Sequence, residues 1–360
     1  MKAWHIVVAV VAGIGVGLVE PGRLTYAFGH ATLYVFLPAL LFEAAWNLNY
    51  RAMRRQWAAI ATLAVPGVIV TALVVAGALA VVRVPFGPAL LAGAILSATD
   101  PIAVVAVFRR LRVPVSLSTI VECESLFNDA VAVVLYRAVL VVMAVEATPN
   151  VVTVVALQAV LGAAGGIALG IAMAFVVARV LRNTQSAALQ VAGTVVCAYG
   201  AYFLGDWLHL SGIFATIASG IALRRYERTW ITLRLVADVK GFWDVLALAS
   251  NALVFFLVGA ALPIGSAFRE PLLVVATLVG VALSRSIVAG LLLPGGYPRA
   301  WLDVVRIAGM RGALSLALAL ALPATVPYRE AILDATFAVA LATLIASSMT
   351  VARVARRAAP

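Results

Sequence analysis

Four polar side chains crowd into one short stretch of an otherwise apolar region. The stretch ECESLFNDAVAVVLY begins at Glu122 and also carries Glu124, Asn128 and Asp129. Residues four apart share one face of a helix, so Glu124 lies below Asn128, and Ser125 lies below Asp129, in two adjacent polar stripes. Inside a membrane helix such groups usually face the bundle interior and mark an ion path or a proton relay. The alternative is that they only hold neighbouring helices together.

A second polar position interrupts the apolar run AILSATDPIAVV. Pro101 lacks a backbone N–H and disfavours helical angles at Asp100, so the helix is expected to break there. Broken helices of this kind form ion sites in transporters. Freed carbonyls, the Thr99 hydroxyl and the Asp100 carboxylate are hard oxygen ligands that suit Na⁺ or Li⁺. Asp100 can also cap the half-helix that follows, and the two roles are compatible.

The segment IAGMRGALSLALALALP mirrors that break in the second half of the chain. Arg311 lies between Gly309 and Gly312 inside an apolar run, where an inverted repeat would place a second broken helix that crosses the first. Because Arg keeps its proton, Arg311 is expected to pair permanently with an acid, and Glu124 is the candidate. The alternative is an Arg that reaches out to the membrane surface. Arg285 is a similar but less pronounced case.

The elements that position these side chains must be membrane helices. Hydrophobic residues make up 64% of the 360 residues, charged residues make up 11%, and the mean hydropathy is +1.10. Soluble proteins have about 45–50% apolar and about 25% charged residues. The net charge of +11 comes from Arg clusters between apolar runs, which indicates membrane orientation and not nucleic-acid binding. Cys123 and Cys197 lie in apolar runs, so neither a disulfide framework nor a metal cluster is expected.

The apolar runs predict an all-α polytopic membrane protein with about twelve transmembrane helices. A span needs roughly 20 predominantly apolar residues, and somewhat fewer when the helix is buried or broken. The first run offers no signal-peptide cleavage site near Glu20, so it counts as a span. The predicted spans are 4–19, 31–46, 57–82, 87–108, 117–145, 151–181, 186–206, 210–223, 243–262, 270–293, 300–322 and 330–352.

Positive charge in the short loops predicts the orientation. Loops after even-numbered spans, together with the C-terminal tail, carry most of the Arg and Lys residues. Loops after odd-numbered spans hold few, several of them beside an acid. Basic loops remain in the cytoplasm, so the even-numbered loops and the C-terminus are expected there.

Five motifs resemble those of a known family of membrane proteins. In chain order, FLPALLFEAAWNL, ATDPIAVVAVF, ESLFNDAVAVVLY, SGIFATIASGI and MRGALSLALAL look like motifs of the monovalent cation:proton antiporter family, in its electroneutral sodium/proton exchanger branch. The resemblance runs through nearly the whole chain, and the Asn-Asp pair is its most specific part. It implies inverted repeats with two crossed discontinuous helices. It also implies one exchanger domain over 1–360, with core helices at about 87–145 and 270–322 and with dimerisation or scaffold helices elsewhere.

The resemblance assigns an ion site to residues of these motifs. It makes Asp129 the essential carboxylate, which binds either the cation or the proton. Asp100 and Ser125 would help to ligate the ion, Thr99 would contribute through its main chain, and Glu43 would reach the ion through water.

The resemblance also assigns a supporting polar network. Asn128, Glu124 and Arg311 would fix the core around the ion site. The electrogenic branch has an Asp at the position of Asn128, so Asn here implies one Na⁺ per proton. The family usually has Gly where this chain has Cys123, and the core site should survive that change.

The implied function is exchange of Na⁺ or Li⁺ for H⁺ by alternating access, with both ions competing for Asp129. A homodimer in the plasma membrane is expected, with no cofactor and no enzymatic activity. The branch commonly has thirteen spans, so the first is expected to be missing here. No regulatory domain is expected after Pro360.

Three other functions remain open from the residues alone. Exchange of K⁺, or of a broader set of monovalent cations, for H⁺ fits the same oxygen ligands, because cavity size decides selectivity. A passive cation channel is more remote, since an occluded carboxylate site favours a carrier. An intramembrane aspartyl protease would also use two aspartates, Asp100 and Asp129, but neither lies in a Gly-x-Gly-Asp motif.

Overall fold

The computed structural model describes residues 3–19, 32–145, 148–227, 233–261, 270–293 and 296–358, and the regular structure in these ranges is helical. Each predicted span coincides with one helix or with a pair of half-helices. The α-helices are α1 (Ala3–Val19), α2 (Leu37–Asn47), α3 (Tyr50–Arg55), α4 (Trp57–Val81), α5 (Phe86–Ser97), α6 (Ile102–Leu111), α7 (Val115–Ala144), α8 (Pro149–Leu181), α9 (Ala187–Trp207), α10 (Gly212–Glu227), α11 (Leu233–Ala261), α12 (Pro271–Ile287), α13 (Arg299–Ala308), α14 (Ala313–Leu320) and α15 (Arg329–Ala358). Short π-helical turns at Thr32–Phe36 and Val288–Leu292 precede α2 and extend α12.

The two predicted breaks are present. The first separates α5 from α6 at residues 98–101, where Pro101 occupies the N-cap of α6. The second separates α13 from α14 at residues 309–312, where Gly309 and Gly312 are the capping residues. Each break falls within one predicted span, 87–108 or 300–322, and the expectation of two discontinuous helices is confirmed.

Several helices are suited to a bilayer. Within the described residues, seven are long and apolar enough to cross one: Trp57–Val81, Val115–Ala144, Pro149–Leu181, Ala187–Trp207, Val236–Leu257, Pro271–Leu291 and Arg329–Ser347. The half-helices are shorter than a membrane is thick and need a partner half to complete a crossing. The total of twelve crossings stays a prediction.

The chain packs as two compact units. The first comprises Met1–His30, Arg51–Met143 and Val254–Pro360, and the second comprises Ala31–Tyr50 and Ala144–Leu253. Nearly all of the two ranges predicted as the core, 87–145 and 270–322, fall in the first unit. The assignment of the other helices to dimerisation remains a prediction.

Each unit has its own apolar core. In the first unit, Leu63 of α4, Phe108 of α6 and Leu117 of α7 are buried in one cluster with residues of α13 and α15. In the second unit, the ring of Phe42 packs between Trp46 and Trp243, with ring centroids 5.8 and 4.6 Å apart. The first cluster includes residues of the half-helices α6 and α13, so it helps to hold the elements that carry the predicted site.

Close packing in the second unit depends on glycines of α8. At Gly166 and Gly170, an added β-carbon would overlap the carbonyl groups of Ser211 and Ala215 at the start of α10. At Gly162, one turn earlier, the nearest atoms would lie 3.8 Å away, which is an ordinary contact distance. The backbones of α8 and α10 can therefore approach closely only because glycine occupies the two tight positions.

This packing predicts a difference between two otherwise identical substitutions. Gly170→Ala should lower the free energy of unfolding by about 1–3 kcal/mol, because the new methyl group forces the two backbones apart. Gly162→Ala should leave it unchanged or raise it slightly, since alanine favours the helix. Thermal unfolding of the purified variants in detergent measures both. Equal apparent melting temperatures for the two variants would contradict the packing argument.

Candidate ion-binding site

The two breaks meet and satisfy each other's backbone. The N–H of Asp100 in the first break donates to the carbonyl of Met310 in the second, at 2.9 Å. The Ser315 hydroxyl, in the first turn of α14, donates to the carbonyl of Ala98 at 3.1 Å. Unpaired backbone groups are very costly inside a membrane, so these bonds make each break a requirement for the other. The predicted crossing of the two discontinuous helices is confirmed.

Both glycines that flank Arg311 permit close approach. A β-carbon on Gly312 would overlap the side chain of Asp100, and one on Gly309 would overlap the guanidinium group of Arg285. Gly312 therefore allows Asp100 to lie directly against the second break.

Asp129 and Ser125 of α7 face the first break. The Ser125 hydroxyl donates to the carbonyl of Thr99, and the backbone N–H of Thr99 faces the Asp129 carboxylate. The charge of Asp100 also acts on Asp129. Oδ1 of Asp129 is buried and has no hydrogen-bond partner. Because buried carboxylate oxygens are normally satisfied, this oxygen is available to a ligand.

Asn128 holds α7 against a second neighbour. Its side chain lies 3.5 Å from the Thr99 hydroxyl. With its amide oriented to satisfy both sides, its nitrogen donates to the carbonyls of Leu63 and Ala64 on α4, at 3.3 and 3.2 Å. These contacts with neutral groups hold Asn128 in place, and with it the adjacent Asp129.

Arg311 lies at the carboxyl end of α5. Its Nη1 lies 3.5 and 3.4 Å from the carbonyl oxygens of Ser97 and Ala98, and its backbone N–H donates to the Thr343 hydroxyl at 3.1 Å. The side chain is buried, and its charge acts on Asp129. Arg311 thus serves the half-helix end and the carboxylate site together.

Glu124 forms its buried ion pair with Arg285 of α12, at 2.6 Å between Oε1 and Nη1. The two side chains are only 3% and 8% exposed. The prediction that Glu124 pairs with Arg311 is therefore wrong. The Arg311 side chain is turned instead to the end of α5. Arg285 also donates through Nη2 to the carbonyl of Val305 near the end of α13. An Arg inside the apolar run of α12 was the available signal for this pair.

The arginines occupy equivalent positions at the two breaks. Arg311 contacts the carboxyl end of the half-helix α5, and Arg285 contacts that of α13. Such ends carry a partial negative charge that a cation stabilises. Asp100 precedes the amino end of α6, where the partial charge is positive. The first break therefore has compensating charges at both helix ends, and the second has one at the carboxyl end of α13.

Glu43 belongs to α2, which is part of the second unit. Its Oε1 accepts a hydrogen bond from Asn47 Nδ2, one turn later, at 2.6 Å. Its predicted contact with the ion through water stays a prediction.

The donor atoms at the crossing are carboxylate, hydroxyl and carbonyl oxygens. Among the described residues, no group of three or more His, Cys, Asp or Glu side chains is arranged to hold a metal ion. Two carboxylates with hydroxyl and carbonyl oxygens suit a hard cation of low charge.

Comparisons with known proteins identify the family of this chain. A family model described as sodium/hydrogen exchanger, transmembrane, matches residues 4–357. The Na⁺/H⁺ antiporter ApNhaP of Aphanothece halophytica is 31% identical over 356 residues, which cover 95% of this chain and 67% of that protein. The low-affinity Na⁺/H⁺ antiporter NhaS1 of Synechocystis is 30% identical, over 97% of this chain and 68% of that protein.

A solved structure has the same fold. The sodium proton antiporter MjNhaP1 of Methanocaldococcus jannaschii superposes with a TM-score of 0.80, over 98% of this chain and 91% of that one. At 19% sequence identity, this likeness establishes the fold alone.

The buried ion pair predicts which arginine the fold needs. Arg285→Met should cost about 3–5 kcal/mol of unfolding free energy, because Glu124 would remain buried and unpaired. Arg306→Met is the matched control, since Arg306 is half exposed and its pair with Asp303 is long, at 3.5 Å. It should cost less than about 1 kcal/mol.

The double variant Glu124→Gln/Arg285→Met should recover part of the loss, because it removes both charges. Chemical or thermal unfolding in detergent measures all three variants. An Arg285→Met protein as stable as Arg306→Met would refute the role of the pair.

Proposed function

Because the chain belongs to the sodium/hydrogen exchanger family, we propose that it exchanges Na⁺ or Li⁺ for H⁺ across a membrane, one for one, at Asp129. It is a transporter and not an enzyme. The observation that carries the proposal is the buried, unpartnered Oδ1 of Asp129 at the crossing of two broken helices.

Competition at one carboxylate couples the two ions. An ionised Asp129 attracts a cation, whereas a protonated Asp129 has lost both the charge and one free oxygen. Binding of Na⁺ to this carboxylate therefore excludes binding of H⁺, and binding of H⁺ excludes binding of Na⁺. A carrier that crosses only with this charge compensated must exchange one ion for the other.

The neighbouring groups support cation ligation by Asp129, Asp100, Ser125 and Thr99. The Ser125 hydroxyl donates its hydrogen bond to the Thr99 carbonyl, so the lone pairs of the Ser125 oxygen are free to face a cation. Gly312 brings Asp100 against the crossing. Glu124, Asn128 and Arg311 act in this proposal as positioning residues. Glu43 is proposed to contribute through water.

The charges at the crossing support electroneutral exchange. Asn128 is neutral, Glu124 is paired with Arg285, and Arg311 keeps a fixed positive charge near the two aspartates. Loading one Na⁺ or one H⁺ changes the charge of the site by the same amount. Inward and outward crossings then carry equal charge.

We further propose a homodimer in the plasma membrane with the C-terminus in the cytoplasm. The distribution of basic residues between alternate loops supports that orientation. Exposed apolar side chains along the first half of α8, among them Leu157, Val160 and Leu161, offer a surface that lipid or a second copy can cover.

Asp129→Asn should abolish exchange, because the amide can neither be ionised nor take up a proton at neutral pH. Purified protein in proteoliposomes with an internal pH dye measures this after addition of Na⁺, Li⁺ or K⁺, with and without valinomycin to clamp the voltage. Wild-type flux should depend on Na⁺ or Li⁺ and ignore voltage. Asp244→Asn, a half-exposed acid of α11, is the control and should retain the flux.

Retained Na⁺-dependent proton movement in Asp129→Asn would defeat the assignment of the site. A flux that follows voltage would defeat the one-for-one stoichiometry. A flux driven equally by K⁺ would replace sodium exchange with broader cation exchange.

Gly312→Ala should weaken cation binding, because the new methyl group displaces Asp100. Loss of one contact to a charged group costs about 1.5–3 kcal/mol, so the KM for Na⁺ should rise roughly tenfold or more. Gly77→Ala, a helical glycine with open space around it, should leave the KM unchanged. An unchanged KM in Gly312→Ala would show that Asp100 does not ligate the ion.

A further inference from the structure

Glu122 begins the ECESLFNDA segment, but the exchange mechanism proposed above does not use it. Its partly buried carboxylate accepts a hydrogen bond from the Ser118 hydroxyl, with 2.8 Å between the oxygen atoms. In the described part of the chain, no Lys or Arg forms an ion pair with it. Glu122 is thus an acid within a membrane helix whose charge no partner neutralises directly.

The position of Glu122 on α7 connects it to the ion site. Ser118, Glu122, Ser125 and Asp129 are spaced by four, three and four residues, so they follow one face of the helix. Ser125 and Asp129 both face Thr99, which shows that this face is turned to the first broken helix. A rise of 1.5 Å per residue puts Glu122 about 10 Å from Asp129 along the helix.

The half-helix α6 packs against α7 on the face next to this one. It starts just after Asp100 and ends at Leu111, and a tight turn with Arg112 in the left-handed region leads into α7. Val104 and Phe108 of α6 share a buried cluster with Leu117 and Val121 of α7. The two helices are therefore antiparallel, with the ion site at one end of the pair, the turn at the other, and Glu122 about midway between them.

Basic residues cluster at the turn between α6 and α7, on the same side of the ion site as Glu122. Arg109 lies on the last turn of α6 and its charge acts on Glu122, while Arg110 and Arg112 follow in the chain and are exposed. Without a local acid, these three charges would repel an approaching cation. Glu122 is the acid on the face that leads to Asp129.

We propose that Glu122 is an entrance carboxylate, the first protein ligand that a cation meets on its way from the amino end of α7 to Asp129. The inference rests on the exchange function proposed above and extends it to the access path. Glu122 lowers the local positive potential and offers an oxygen about two helical turns before the final site.

Sided transport kinetics separate this role from a purely structural one. Glu122→Gln keeps the shape and the hydrogen bond to Ser118 but removes the charge. In inside-out vesicles, the predicted orientation places the turn between α6 and α7 on the outside. There the KM for added Na⁺ should rise about threefold to tenfold. In right-side-out vesicles the KM should stay the same. Maximal rate and apparent melting temperature should not change, and Glu122→Asp should retain most of the wild-type affinity.

Opposite charge changes should act in opposite directions. Arg109→Gln should lower the KM in inside-out vesicles, and the double variant Glu122→Gln/Arg109→Gln should return it toward the wild-type value. Choline chloride, which screens charge without being transported, should shrink both effects. Glu270→Gln, an exposed acid just before α12, controls for net charge and should not alter this KM.

The inference is overturned if Glu122→Gln and wild type have equal KM values in both vesicle types. It is also overturned if the KM changes equally in both, or if the variant loses thermal stability with its affinity. These results would leave the exchange function intact. A wild type without Na⁺-dependent proton movement would instead defeat the exchange function and this inference with it.

Discussion

Two broken helices within a bilayer leave backbone groups that no water can satisfy, and the first unit is organised around them. The N–H of Asp100 donates to the carbonyl of Met310, and the Ser315 hydroxyl donates to the carbonyl of Ala98. On α15, the Thr343 hydroxyl accepts from the N–H of Arg311, and the Ser347 hydroxyl donates to the carbonyl of Ile307. Such groups cost several kcal/mol each when unpaired in a membrane. Neither break is stable without the other, so the crossing is fixed as one piece.

The same constraint isolates Asp129, the carboxylate proposed to bind the ion. Around the crossing, Glu124 is paired with Arg285, Asn128 bonds neutral groups, and Ser125 bonds Thr99. Oδ1 of Asp129 is buried among these paired groups without a partner, as are Nε of Arg285 and Nε and Nη2 of Arg311. A site that holds its ligands rigidly while leaving one acidic oxygen free needs little rearrangement to accept a small cation or a proton, which suits a carrier that must release both.

The two breaks and the meeting of Asp100 with the second half of the chain were predictable from the sequence. Pro101 interrupts a helix because it lacks an N–H, and the glycines on either side of Arg311 mark the matching break of the inverted repeat. The sequence did not predict which arginine would pair with Glu124. Spacing along a helix specifies a face but not which distant side chain reaches it, and Arg285 and Arg311 both lie within apolar runs. The division into two units also depends on contacts far apart in the chain. It places Glu43 in a different unit from the other site residues.

Arg285 holds a carboxylate of α7 and a main-chain carbonyl of α13 at once. Only a planar group with several donors can serve two acceptors in different directions, so lysine is a poor replacement. Glu124 depends on this guanidinium for its counter-charge, and the guanidinium depends on Gly309 for the space that it occupies. These three positions are therefore restricted in how they can diverge: a change at one is tolerated only together with changes at the others, so they should evolve as a linked set.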